Sequence, residues 1–297
     1  LTNTQVPALT SAQILALQSD QIAAMGAVNI TKLTGDRMTL LSASQVAALT
    51  TVQIQGLTNA EITKMSTAQV QELTTAQMPA FTQSQIALFS SAQIAAMETQ
   101  DVASLTTAQI GWLTAQQMPH FTTAQIAALT TAQVAAIEVG DLTKLTTAQI
   151  QKLGTGQISA LTTAQMVSLT DVQLAAIETA DLANLSTAQI ASITAAQVVN
   201  LTTQQIQALT TTQAGALTSA QAPNSSVSQL QSIETQDLAQ MSTSAVKSLS
   251  AYQAKNLTTD QVAALTTAQI AAVETAKFAE LTTAQIVAFT TEQVQGF

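Results

Sequence analysis

The chain has 297 residues, 47% apolar and 8% charged, with a net charge of −9 at neutral pH. That is too apolar for a disordered acidic tail, and an acidic excess is the wrong field for a polyanion, so nucleic-acid binding is not expected. There is no cysteine, which excludes a disulfide framework and a Cys-based zinc site. The apolar runs are short against the roughly 20 residues needed to cross a bilayer, so no membrane span is expected.

Read from Leu1 in steps of eight, the chain falls into 37 octads with one residue over, and no insertion or deletion shifts the phase. The commonest residue at each position spells LTTAQIAA, the octad at 265–272. Position 1 is large and apolar in 36 octads, Ser225 being the exception, and position 6 is large and apolar except at Ala214, Ala222 and Ala254. Position 2 is Ser or Thr in 29 octads and position 5 is Gln in 28. Ser or Thr followed three residues later by Gln is a capping box, in which each side chain satisfies the other residue's backbone amide. The apolar pair at positions 1 and 6, just before the cap and at the fourth helical residue, forms a hydrophobic staple.

One continuous helix does not fit, because an octad turning 100° per residue leaves the apolar positions drifting about 80° per copy around every face. A strand does not fit either, since spacings of five and three place positions 1 and 6 on opposite faces. The helix must stop and restart in each octad. The four prolines, Pro7, Pro79, Pro119 and Pro223, all fall at position 7, where a proline is tolerated only if the helix is nearly over. So short a helix does not survive alone in water, and octads must hold one another. These readings predict an all-α solenoid of very short capped helices, one per octad. Residues 1–297 form a single elongated body, with positions 1 and 6 inward and the Thr, the Gln and position 3 on or near the outside.

A longer period lies above the octad. The octads METQDVAS at 97, IEVGDLTK at 137, IETADLAN at 177, IETQDLAQ at 233 and VETAKFAE at 273 carry Glu98, Glu138, Glu178, Glu234 and Glu274 at the cap. Asp101, Asp141, Asp181 and Asp237 replace the Gln in the first four, Lys277 in the last, and Glu61 takes the same position in the octad at 57. They recur every five octads, except that seven octads separate 177 from 233. Acidic residues in a first turn suit the helix dipole and read as a variant cap or corner. Alternatively, the pairs Glu98/Asp101, Glu138/Asp141, Glu178/Asp181 and Glu234/Asp237 would form a calcium ladder if five octads made a whole number of turns, although Lys277 would repel the ion. They would otherwise mark a lateral contact with a neighbouring solenoid. Ala214, Ala222, Pro223 and Ser225 lie close together, so the core is expected to be thin or irregular at 209–232.

Nothing in the sequence reads as catalytic. The eight methionines and six phenylalanines all sit at position 1 or 6, hence in the core. The single His120 shares position 8 with Trp112 one octad earlier and lies two residues from Met118, which suggests at most a small ligand patch. With no repeated His and no Gly-rich strand-to-helix loop, there is no nucleophile, base or phosphate cradle, and an enzyme is not expected.

The run from Phe121 to Ile150, FTTAQIAALTTAQVAAIEVGDLTKLTTAQI, resembles octapeptide tracts in very large secreted or surface proteins of proteobacteria, often described as adhesin-like or as haem-utilisation proteins. The resemblance covers the whole chain. It implies an extracellular or cell-surface structural or adhesive stalk of which this chain is a segment; one His and core-phase Met leave no repeated axial ligand for haem. The chain opens on Leu1 without a leader-like segment, as a mature form or a piece of something longer would. Leu1 and Phe297 both occupy core positions, whereas solenoid ends are normally polar caps. That predicts a structural protein, a fibre, surface coat or stalk, in contact with itself head to tail and laterally. The alternative is a repeat surface that binds glycan, ice or calcium, ice through the recurring threonines.

Overall fold

A computed structural model describes residues 1–33 and 35–295; the expected core position at Phe297 lies outside them. Among the described residues are 33 α-helices of four to six residues and four 3₁₀ turns, with no strand. By contacts the chain divides into two compact units, Leu1–Leu153 and Gly154–Phe297.

The helices begin as the octad demands. At Thr122 the backbone is extended (φ −68°, ψ 156°), and its hydroxyl accepts from Gln125 N at 3.2 Å. Gln125 Oε1 in return accepts from Thr122 N at 2.7 Å. The helix Thr123–Ala128 then runs to Leu129, which returns to extended backbone (φ −59°, ψ 139°) while its N–H closes onto Ile126 O at 3.2 Å. No described residue has a positive φ, so these helices do not end in the left-handed glycine turn common elsewhere. They end because position 1 swings inward to join the core.

Position 7 proline changes the helix type. In its four octads the α-helix is replaced by a 3₁₀ turn: Val6–Ala8, Met78–Ala80, Met118–His120 and Ala222–Asn224. The proline lacks the N–H that would reach back four residues, so the chain winds more tightly. The bond from position 6 to the cap survives, as in Met78 N to Thr74 O at 3.1 Å.

Within each unit the helices pack on others three octads away, as Thr99–Ser104 does on Thr123–Ala128 and Thr211–Gly215 on Thr235–Gln240. Position 6 is buried from Val6 to Ile270 and position 1 over most of the same span, so the two form the core of each coil. Phe81 and Phe89 meet edge to face there, with centroids 5.2 Å apart. Position 4 faces out, leaving Val28, Val52, Val172 and Tyr252 exposed.

The stretch 209–232 keeps the phase. Ala214, Leu217 and Ala222 are buried, and Ser225 is half-buried. The small side chains let the backbone draw close: a Cβ on Gly215 would come within 3.1 Å of Gln240 O.

Candidate functional site: the position 5 ladder

The glutamines are not on the outside, contrary to the sequence expectation; from Gln45 onward they are buried. Their Oε1 is spent on the cap, and their Nε2 reaches the coil below. Gln109 Nε2 donates to Met78 O at 2.8 Å and to Phe81 O at 2.9 Å. Gln93 does the same to Ile62 O (2.8 Å) and Met65 O (2.9 Å), and Gln125 to Ile94 O (2.8 Å) and Met97 O (2.7 Å). The second unit repeats it, with Gln213 on Leu182 O (2.9 Å) and Leu185 O (2.7 Å). In each of these the acceptors are the carbonyl of a position 6 residue, nearly four octads back, and that of the position 1 residue that ends its helix; Gln189 takes the position 7 carbonyl of Ser159 (3.1 Å) together with Leu161 O (2.7 Å). One amide therefore caps its own helix and answers two carbonyls of another, a position 1 carbonyl and a position 6 carbonyl that already accepts one backbone N–H, so that both of its donors are engaged.

These bonds measure the coil. Contacts across neighbouring coils run from just over three octads, as in Ser159 Oγ to Asn184 O, to just under four, as in Gln109 Nε2 to Met78 O, so one turn takes between three and four octads. Each octad thus straddles the junction between two octads of the coil below.

Other donors at position 5 keep the stitch. Asn29 Nδ2 donates to Leu1 O at 2.8 Å, Arg37 Nη1 to Val6 O at 3.3 Å, and Lys277 Nζ to Lys247 O at 2.5 Å. Carboxylates do not. Both oxygens of Asp101, Oδ1 of Asp237 and Oε1 of Glu61 are buried without a hydrogen-bond partner, and Ala245 has nothing to offer. Burial pushes the Asp101 carboxyl up to about 6, with the neighbouring Glu98 charge a smaller cause. Asp141 is raised for the same reasons, in the same order, with Glu138 as the neighbour. Asp181 has a partner: the Thr155 hydroxyl donates to its Oδ1 at 2.6 Å.

The acidic caps are not variant caps. Glu98, Glu138, Glu178, Glu234 and Glu274 each precede a helix with extended backbone, but none makes a side-chain bond to it. Glu98 and Glu234 instead accept from Gln100 and Gln236 at the surface. Nor does a five-octad spacing stack the acidic octads, because it exceeds one turn and falls short of two. Glu98/Asp101 and Glu138/Asp141 in the first unit are therefore on different faces. The seven-octad interval does match two turns, and it places Glu178/Asp181 and Glu234/Asp237 on one side of the second unit with a coil between them. Among the described residues no group of three or more His, Cys, Asp or Glu is arranged to hold a metal ion. His120 is exposed, Trp112 half-buried and Met118 buried in the core, so Met118 does not contribute to a surface patch with them. No described helix is long and apolar enough to cross a membrane.

The fold and its ladder define a tandem-repeat α-solenoid whose unit is the capped octad. The sequence pattern of the ALTTAQ repeat family matches residues 94–131, 134–171, 174–211 and 230–267, together just over half the chain, and the chain belongs to that family. The matches begin four residues before Glu98, Glu138, Glu178 and Glu234, so the family's unit is the five-octad period marked by the acidic octads. The stretch 212–229 between the last two matches holds the two extra octads of the long interval. No curated protein shows a significant match to the chain.

Proposed function

We propose that the chain is a structural segment of a secreted or surface-exposed, adhesin-like protein. In this reading it serves no catalytic purpose; it builds a fibre, coat or stalk by stacking coils and extends by joining copies of itself end to end. The observation that supports this reading is the glutamine stitch. It uses a side chain that recurs in 28 of the 37 octads and backbone carbonyls that every octad possesses, so a coil can receive another and nothing in the chemistry limits the number.

Light scattering and electron microscopy on the purified chain at rising concentration test the self-assembly. Filaments of constant width whose mean length grows with concentration are expected. A discrete monomer at high concentration would refute end-to-end extension.

A further inference from the structure

Glu61 occupies the glutamine's place almost atom for atom. Its Oε2 accepts from Thr58 N at 2.6 Å and from Thr58 Oγ1 at 2.8 Å, as a glutamine Oε1 would. Its other oxygen, Oε1, therefore stands where Nε2 stands in the neighbouring octads, fully buried and without a partner. The register that carries Gln93 to Ile62 O and Met65 O, applied four octads earlier, puts that atom against Ile30 O and Leu33 O. Two carbonyl oxygens facing a bare carboxylate oxygen repel; a hydrogen between them would restore the bond. We propose that Glu61 stitches its coil to the one below as the neutral acid, Oε1–H donating to the carbonyl of Ile30 or Leu33, so that this coil contact tightens as the solution is acidified.

The surroundings agree. The helix Asn59–Lys64 packs on Gly35–Met38 and Gln83–Ile86. The latter carries no titratable group. On the former, Asp36 pairs in the open with Lys64 of Glu61's own helix at 3.2 Å, and Arg37 is engaged with Val6 O. Lys32, between the two acceptor residues, is exposed. Among the described residues of these elements no cation is thus left to hold the carboxylate charged. Burial raises the Glu61 carboxyl above its ordinary value, against the smaller opposing pull of the two Thr58 bonds. A metal ion is a poorer occupant than a proton, because at the equivalent atoms the nitrogen touches its carbonyls directly at 2.8 to 2.9 Å, with no space between them.

The sign follows from linkage. A carboxyl raised on folding contributes fully below its unfolded value, 4.5, and its contribution is lost as pH rises through the folded value. Hydrogen–deuterium exchange of the full chain at matched pH, wild type against Glu61→Gln, reads this locally. At pH 7 the variant should exchange about tenfold more slowly over residues 30–33 and 57–64, and near pH 4 the difference should vanish. Gln69→Glu should do the reverse, opening its coil at pH 7 and recovering in acid. Carbon-13 titration of the Glu61 carboxyl should show a midpoint above 4.5. Equal exchange of wild type and Glu61→Gln at pH 7, or a gap unchanged near pH 4, would overturn the proposal. So would protection at pH 7 that calcium restores to the wild type but not to the variant, since the missing partner would then be a cation.

Discussion

The position 5 glutamine carries two tasks that a sequence separates poorly. Its capping half is legible from Thr-x-x-Gln alone, because both partners lie within one turn. Its stitching half is not, because the acceptors are three to four octads away and nothing local marks them. The two halves predict different costs. Replacing Thr266 by Ala removes one cap acceptor, an expected loss of about 1 kcal/mol. Replacing Gln269 by Ala removes the bond to Thr266 N at 2.8 Å and those to Leu238 O at 2.9 Å and Met241 O at 2.7 Å. It leaves buried polar groups unanswered, so the expected loss is larger, about 2 to 4 kcal/mol. Urea unfolding of both variants checks the order; equal losses would mean that the stitch contributes nothing beyond the cap.

At the scale of one octad, stability comes from burial, since helices this short cannot hold themselves. Ile270, 2% exposed, should cost about 2 to 5 kcal/mol when cut to Ala, the range for deleting a buried aliphatic side chain where the core relaxes only partly. The acidic octads behave differently. Asp101 is charged at neutral pH inside a site that disfavours charge, so its contribution is complete below its ordinary 3.8 and declines as pH rises through about 6. Asp101→Asn should therefore be more stable than wild type at pH 7.5, and the two should converge below pH 4; denaturant midpoints across that range decide it. The acidic pattern was visible in the sequence, but its meaning was not. Whether Glu98 caps its helix or Asp101 aligns with Asp141 depends on side-chain reach and on residues per turn, neither of which the pattern contains. The 3₁₀ turns at the prolines were closer to legible, because the missing N–H is a covalent fact.

Across the whole molecule, the octads are interchangeable partners. Within each unit a glutamine octad stitches to whatever stands three and four octads before it, so changing the chain by whole octads renews the ladder automatically. Deleting residues 193–200 should preserve helix content and cooperative melting, whereas deleting only 193–196 should shift every later Thr and Gln against its coil and broaden or lower the transition in circular dichroism. The seven-octad interval between Glu178 and Glu234 is a natural case of the same tolerance, two extra octads received without loss of phase.

The octad, its cap and staple, and the inward faces of positions 1 and 6 were decided by neighbours within one repeat, and the five-octad period by the residue types themselves; for that reason all of them can be read along the chain. The number of octads in a turn was decided only by packing in three dimensions. That number turned the glutamine inward to the carbonyls of another coil, set the acidic octads of the first unit on different faces, and left Glu61 and Asp101 as acids where glutamine elsewhere supplies a hydrogen.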